Sequence, residues 1–189
     1  MSMNVLVVID AQNDFIDGVL GSAEAVDVVD NIVHRINKYN GDIIYATMDT
    51  HTSKEYYESK EGIELPVIHC EYLTPGWILN DKIFNALKNN VKYEKQIFKK
   101  NFWSHELKSE MLKMKSWFNN DDKITLVGYC TDICVMYNAI MLKTLDLKAD
   151  IVVDASCCAG STPERHKAAL EVMKSCQIKV IGEKNETNN

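Results

Sequence analysis

Six short runs rich in β-branched and other apolar residues recur along the chain: NVLVVID (4–10), DIIYATM (42–48), KQIFKK (95–100), ITLVG (124–128), ADIVVD (149–154) and IKVIG (178–182). Most are continuously apolar rather than alternating, which is the pattern of parallel strands covered on both faces. Helical patterns lie between them. Val26, Val29, Val33 and Ile36 form a stripe after the cap residue Ser22, with Gly41 as a stop, and Leu107, Met111, Met114 and Phe118 form another after Ser104. Ser161-Thr162-Pro163-Glu164 opens a third helix, with Ala169, Leu170 and Met173 on one face. The stretch from Asp132 to Leu145 is apolar almost all round, which predicts a buried helix suited to a subunit interface. Strands alternating with helices predict one α/β domain over 1–189, a six-stranded, mostly parallel sheet with helices on both faces. The polar end, from about 183 to 189, is expected to fray.

Composition narrows the class of partner. The 21 basic and 27 acidic residues give a net charge of −6 without blocks of one sign, which argues against nucleic acid and against an anionic membrane surface. No run approaches the ~20 apolar residues of a membrane span, and no basic leader precedes Asp10, so a cytoplasmic protein is expected. Its partners are expected to be a small molecule and further copies of itself. The six cysteines contain no C-x-x-C pair, so neither a disulfide framework nor a cysteine zinc site is favoured.

Ligands of an open parallel sheet bind beyond the carboxyl ends of its strands. Asp10 ends the first run, Asp49-Thr50-His51 follows the second, Lys99-Lys100 ends the third, and the fourth leads through Gly128 to Cys130 and Cys134. A carboxylate, an ammonium, a thiol and an acid–imidazole pair therefore meet at one rim. With Thr131 as N-cap, Cys134 falls in the first helical turn, where the unpaired N–H groups favour a thiolate and can hold an oxyanion. The competing reading is that both thiols fill core space, as free cysteines commonly do.

These segments resemble the isochorismatase-like cysteine hydrolases, and among them the nicotinamidases. VVIDAQNDF resembles the first strand and turn, IFKKNFWS the lysine segment and VGYCTDICV the nucleophile segment, in the right order over nearly the whole chain. The resemblance implies a Rossmann-type three-layer sandwich and a triad of Asp10 as general base, Lys100 as electrostatic partner and Cys134 as nucleophile. Lys100 is preferred to Lys99 because the lysine of that family stands four residues before a serine, here Ser104; strand neighbours point to opposite faces, so only one can enter the site. A cis peptide is implied at Tyr129-Cys130, with the backbone amides of Cys130 and Cys134 as the oxyanion hole.

The resemblance also implies a divalent metal on Asp49, His51 and His69. The fourth ligand in many relatives is a histidine that this chain lacks; Glu61 takes its place, with Glu58 behind it. Zinc is the first expectation, and manganese or iron suits the same oxygen-richer donors. The alternative is that His69 is a satisfied core histidine and Asp49 a turn acid. Phe15, Trp103 and Tyr129 are the expected substrate contacts, although Leu65 stands where many nicotinamidases carry tryptophan. The reaction implied is hydrolysis of nicotinamide, or a similar aromatic carboxamide, to the acid and ammonia. Its rivals are a metal-free relative acting on a carbamoyl or ureido amide, a vinyl ether hydrolysis against which Cys134 argues, and a non-enzymatic thiol sensor or scaffold prompted by Cys157-Cys158.

Overall fold

In the computed structural model, which describes residues 3–183, the six runs form one parallel sheet. Its strands are β1 (Asn4–Ile9), β2 (Ile43–Asp49), β3 (Tyr93–Lys99), β4 (Lys123–Tyr129), β5 (Asp150–Ala159) and β6 (Lys179–Ile181). The order is β3-β2-β1-β4-β5-β6, and every pairing is parallel. The chain thus winds outward from β1 in one direction and from β4 in the other. The tail expected to fray lies, beyond Glu183, outside the described residues.

The helices are α1 (Asn13–Ile16), α2 (Ala23–Asp27), α3 (Val29–Asn37), α4 (Ser53–Glu58), α5 (Lys60–Glu64), α6 (Asp81–Asn89), α7 (His105–Lys113), α8 (Met136–Thr144) and α9 (Pro163–Ser175). Alternation along each strand sends side chains to two cores. Val5, Val7, Ile9, Ile124 and Leu126 meet Leu107, Ala139 and Leu170 of α7, α8 and α9 on one face. Leu6, Val8, Val127 and Tyr129 meet Ile32, Ile36, Ile83 and Leu87 of α3 and α6 on the other. Helices on both faces follow from the right-handed crossovers that parallel strands require.

Capping sets several boundaries as expected. Ser22 accepts from Ala25 N–H, Ser104 from Leu107 N–H and Thr162 from Arg165 N–H, with Pro163 opening α9. Three details differ from the pattern. The stripe through Val26 breaks because α2 ends at Asp27 and α3 begins at Val29; Val26 is 48% exposed and the buried line is Ala25, Val29, Ile32 and Ile36. β5 runs to Ala159 rather than stopping at Asp154, since its small residues pair with Gly128 and Tyr129 beyond a register shift. α6, short and rich in lysine and asparagine, is an unpredicted helix capped by Asn80. Among the described residues no helix is long and apolar enough to cross a membrane.

Candidate active site and metal centre

The carboxyl ends of β1 to β4 form one rim, and β1 and β4 lie side by side where the winding reverses, the place where open α/β sheets leave a crevice. Asp10 follows directly on β1, with φ of 46°. It is fully buried; its N–H donates to the Thr47 carbonyl (3.1 Å), and the Thr47 hydroxyl donates to Asp10 Oδ1 (2.7 Å). Oδ2 is thereby left for a cation.

That cation is Lys99, the last residue of β3. Its Nζ lies 2.7 Å from Asp10 Oδ2, 3.2 Å from Asp49 Oδ1 and 3.5 Å from Cys134 Sγ, and its side chain is 2% exposed. Lys100 is 62% exposed and pairs with Glu55 at 2.7 Å. The expected place of Lys100 in the triad is therefore corrected to Lys99. A spacing counted to Ser104 says nothing about side-chain direction, whereas alternation on β3 buries Ile97 and Lys99 together and turns Phe98 outward. Burial works against the Lys99 ammonium, but Asp10, the Cys134 sulfur and Asp49 more than offset it and hold its pKa well above the usual value. Burial raises the Asp10 carboxyl above the ordinary carboxylate range, and Lys99 restores only part of the difference.

The nucleophile segment also departs from the expected cap. The Tyr129-Cys130 peptide is cis, as the resemblance implies. Cys130, not Thr131, is the N-cap, and residues Thr131–Val135 form a π turn that runs into α8. The Cys130 carbonyl accepts from Ile133 N–H (3.1 Å) and Val135 N–H (3.0 Å). Thr131 is instead committed to His166, with Oγ1 2.8 Å from Nδ1, while Asp132 accepts from Ser161 N–H and Oγ. Gly128 precedes this turn with φ of +117°, where a Cβ would run into the Ile9 carbonyl, so only glycine lets β4 lie this close to β1.

Cys134 is buried on this turn, facing Lys99. Burial raises its thiol well above the ordinary value, Lys99 opposes that, and Asp10 and Asp49 add to it. The help expected from a helix mouth is thus opposed first by burial and then by two carboxylates, and Lys99 is the charge that favours the thiolate. Burial, with Asp132, pushes the Cys130 thiol up to about 12, which leaves its side chain inert at neutral pH.

Asp49 joins this group to a second one. Its Oδ1 faces Lys99, and its Oδ2 lies 3.0 Å from His51 Nε2 and 3.5 Å from His69 Nε2; Glu61 Oε1 is 3.8 Å from the same His69 nitrogen. One ligand atom from each of Asp49, His51, Glu61 and His69 falls within 4.8 Å of the others. Glu58 is exposed and lies outside this set. His69 Nδ1 is 3.1 Å from the Val67 carbonyl, which can only accept, so Nδ1 carries a proton. Nε2 then faces Asp49 and Glu61, and although burial works against a charged ring these carboxylates hold the His69 pKa above its usual value. Two imidazole nitrogens and two carboxylates turned toward one point suit a divalent cation, and the Val67 carbonyl orients the His69 ring.

Of the three expected substrate contacts, Phe15 is buried with its ring centroid 5.5 Å from that of His69, edge to face. Tyr129 is corrected to a core residue: it is fully buried and its hydroxyl donates to the Ala25 carbonyl (2.8 Å) on the α3 side of the sheet. Trp103 packs at a tilt on His105, centroids 3.9 Å apart, with Lys108 Nζ over its ring, so its ring lies against the first turn of α7. Three buried polar residues escaped sequence reasoning. Thr47 holds Asp10, Gln12 brackets Asp49 by accepting from its N–H (2.7 Å) and donating to its carbonyl (2.8 Å), and Asn138 bonds the Cys134 carbonyl. Polar residues inside apolar runs are the only signal they leave.

An isochorismatase domain model matches residues 4–184. An uncharacterized isochorismatase family protein of Bacillus subtilis is 27% identical over 175 residues, 87% of this chain and 91% of the relative. The crystal structure of a Bacillus subtilis nicotinamidase/pyrazinamidase superposes with a TM-score of 0.79 at 23% identity, over 95% of this chain and 99% of that one. A Pyrococcus horikoshii pyrazinamidase, solved in complex with zinc, superposes with a TM-score of 0.71 at 24% identity, over 95% and 99% of the two chains.

Proposed function

The chain belongs to the isochorismatase domain family, and from that premise we propose that it is an amidohydrolase that cleaves nicotinamide, or a similar aromatic carboxamide, to the carboxylic acid and ammonia. The observation that carries this reading is the position of Lys99 Nζ, in reach of Asp10, Asp49 and Cys134 at once. Around this ammonium lie a carboxylate and a thiol, beside four residues able to hold a metal ion.

In the proposed reaction the Asp10 carboxylate takes the proton of the Cys134 thiol, and the sulfur attacks the carboxamide carbon. The backbone amides of Cys130 and Cys134 hold the oxyanion. Protonated Asp10 returns its proton to the nitrogen as the C–N bond breaks, releasing ammonia and leaving a thioester on Cys134. Asp10 then deprotonates a water that attacks the thioester carbon; the acid departs and Cys134 recovers its proton. Lys99 remains an ammonium throughout and offsets the negative charge that passes between Asp10 and the sulfur. Asp49, His51, Glu61 and His69 would hold a divalent ion, zinc in this proposal, which would supply a Lewis acid for the ring nitrogen of the substrate. Phe15 walls the ring beside His69. A metal-free ureido amidase has no use for that cluster, which favours the nicotinamide reading.

The test is ammonia release by the purified protein from nicotinamide, pyrazinamide and a ureido substrate, with and without chelator. Turnover of the two aromatic amides that chelation removes and zinc restores is expected. Turnover of the ureido compound alone, indifferent to chelator, would replace this reading with its rival.

A further inference from the structure

We propose that Asn138 is a positioning residue that holds the Lys99 ammonium at its working distance from the Cys134 sulfur. Asn138 is the third residue of α8, one turn beyond Cys134, and is fully buried. Its Nδ2 donates to the Cys134 carbonyl (2.7 Å) and to the Phe102 carbonyl (3.1 Å), and its Oδ1 accepts from Ser104 N–H (3.0 Å). One partner is thus the nucleophile's own backbone. The other two lie in the irregular segment 100–104, which leaves β3 directly after Lys99.

The need for such a tie follows from the strand order. Lys99 and Cys134 touch, yet β3 is the edge strand, hydrogen-bonded on one side only, and it is separated from β4 by β2 and β1. Three strand spacings amount to roughly 14 Å. Small errors in each pairing therefore accumulate at the far end of β3, and ladder bonds alone leave the Lys99–Cys134 distance loosely defined. Asn138 spans the two elements directly. A buried amide is costly unless its donors and acceptor are used, and here each bond lands on one of the two segments that carry the reacting pair. The Phe102 and Tyr137 rings also meet, with centroids 5.4 Å apart, but both are exposed.

This inference rests on the reading of Cys134 as nucleophile, and two measurements on the purified full-length chain keep them separable. Asn138→Ala and Asn138→Ser are compared with the wild type for kcat and KM on nicotinamide. They are also compared for the pH midpoint of Cys134 alkylation by iodoacetamide, followed by mass spectrometry of its peptide. Serine adds no bulk and keeps a hydroxyl for the Cys134 carbonyl, so it carries the test if the alanine variant fails to fold. The expected result is a kcat lower by about tenfold to a hundredfold with KM nearly unchanged, and an alkylation midpoint raised by about one unit as the ammonium drifts away. The midpoint requires no turnover; if the wild type hydrolyses no carboxamide, the activity reading fails and the midpoint alone decides the role of Asn138. A lower melting temperature with wild-type kcat and midpoint in Asn138→Ser would reduce Asn138 to packing and overturn the proposal.

Discussion

Lys99 and Lys100 leave the end of β3 on opposite sides: one ammonium sits 2.7 Å from buried Asp10, the other 2.7 Å from exposed Glu55. Equal distances conceal unequal consequences. The Lys100–Glu55 pair stands in water, where such a contact contributes about 0–1 kcal/mol. Lys99 stands between two buried carboxylates, and its removal takes from Asp10 the ammonium 2.7 Å away.

Replacing Lys99 by methionine is therefore expected to lower kcat on nicotinamide by roughly 10² to 10⁴-fold, while Lys100→Ala stays within about twofold of wild type. Circular dichroism on both variants separates chemistry from folding. Full activity in Lys99→Met with loss in Lys100→Ala would return the role to Lys100.

The two cysteines of the turn should separate equally well. Cys134→Ala is expected to abolish ammonia release, because its sulfur is the one placed 3.5 Å from Lys99 Nζ among the described residues. Cys130→Ala keeps the backbone amide and is expected to remain within a few-fold of wild type. Intact-mass measurement during turnover should detect an acyl adduct that Cys134→Ala lacks; its persistence in that variant would remove the nucleophile from position 134.

Metal content tests the second cluster. His69→Ala and Glu61→Gln are expected to reduce bound metal, measured by plasma mass spectrometry after dialysis, with affinity falling at least ~10-fold. Glu58→Gln, at an exposed position, should leave it unchanged. Wild-type stoichiometry in His69→Ala would exclude that imidazole as a ligand.

Asp10 also predicts the acid limb of the pH profile. The carboxylate form is the base, so activity falls as pH falls through its pKa. Burial raises that pKa, so the limb in kcat/KM should lie above the ordinary aspartate value of about 3.9. Lys99 lowers it, so in Lys99→Met the residual activity should show the limb displaced further upward. A limb at or below the ordinary value, or one that Lys99→Met moves downward, would contradict Asp10 as the base.

Much of the fold was legible because its signals are local. Continuous apolar runs marked the six strands, Ser22, Ser104 and Thr162-Pro163 marked helix starts, and the residues after each run marked the rim, since parallel topology brings carboxyl ends together. Asp10, Asp49, His51 and Cys134 could be named from their places after the runs, whereas Glu61 and His69 were implied by the family resemblance. Tertiary structure alone decided which lysine turns inward, that Tyr129 belongs to the core, and that Thr131 is bound to His166 rather than capping a helix. It also set the surroundings of the Cys134 thiol, whose ionisation burial, Asp10 and Asp49 oppose and Lys99 favours. The division has one physical cause. Strand and helix starts are set by neighbours in sequence, whereas the direction of a side chain and the charge it bears are set by groups that only folding brings within a few ångströms.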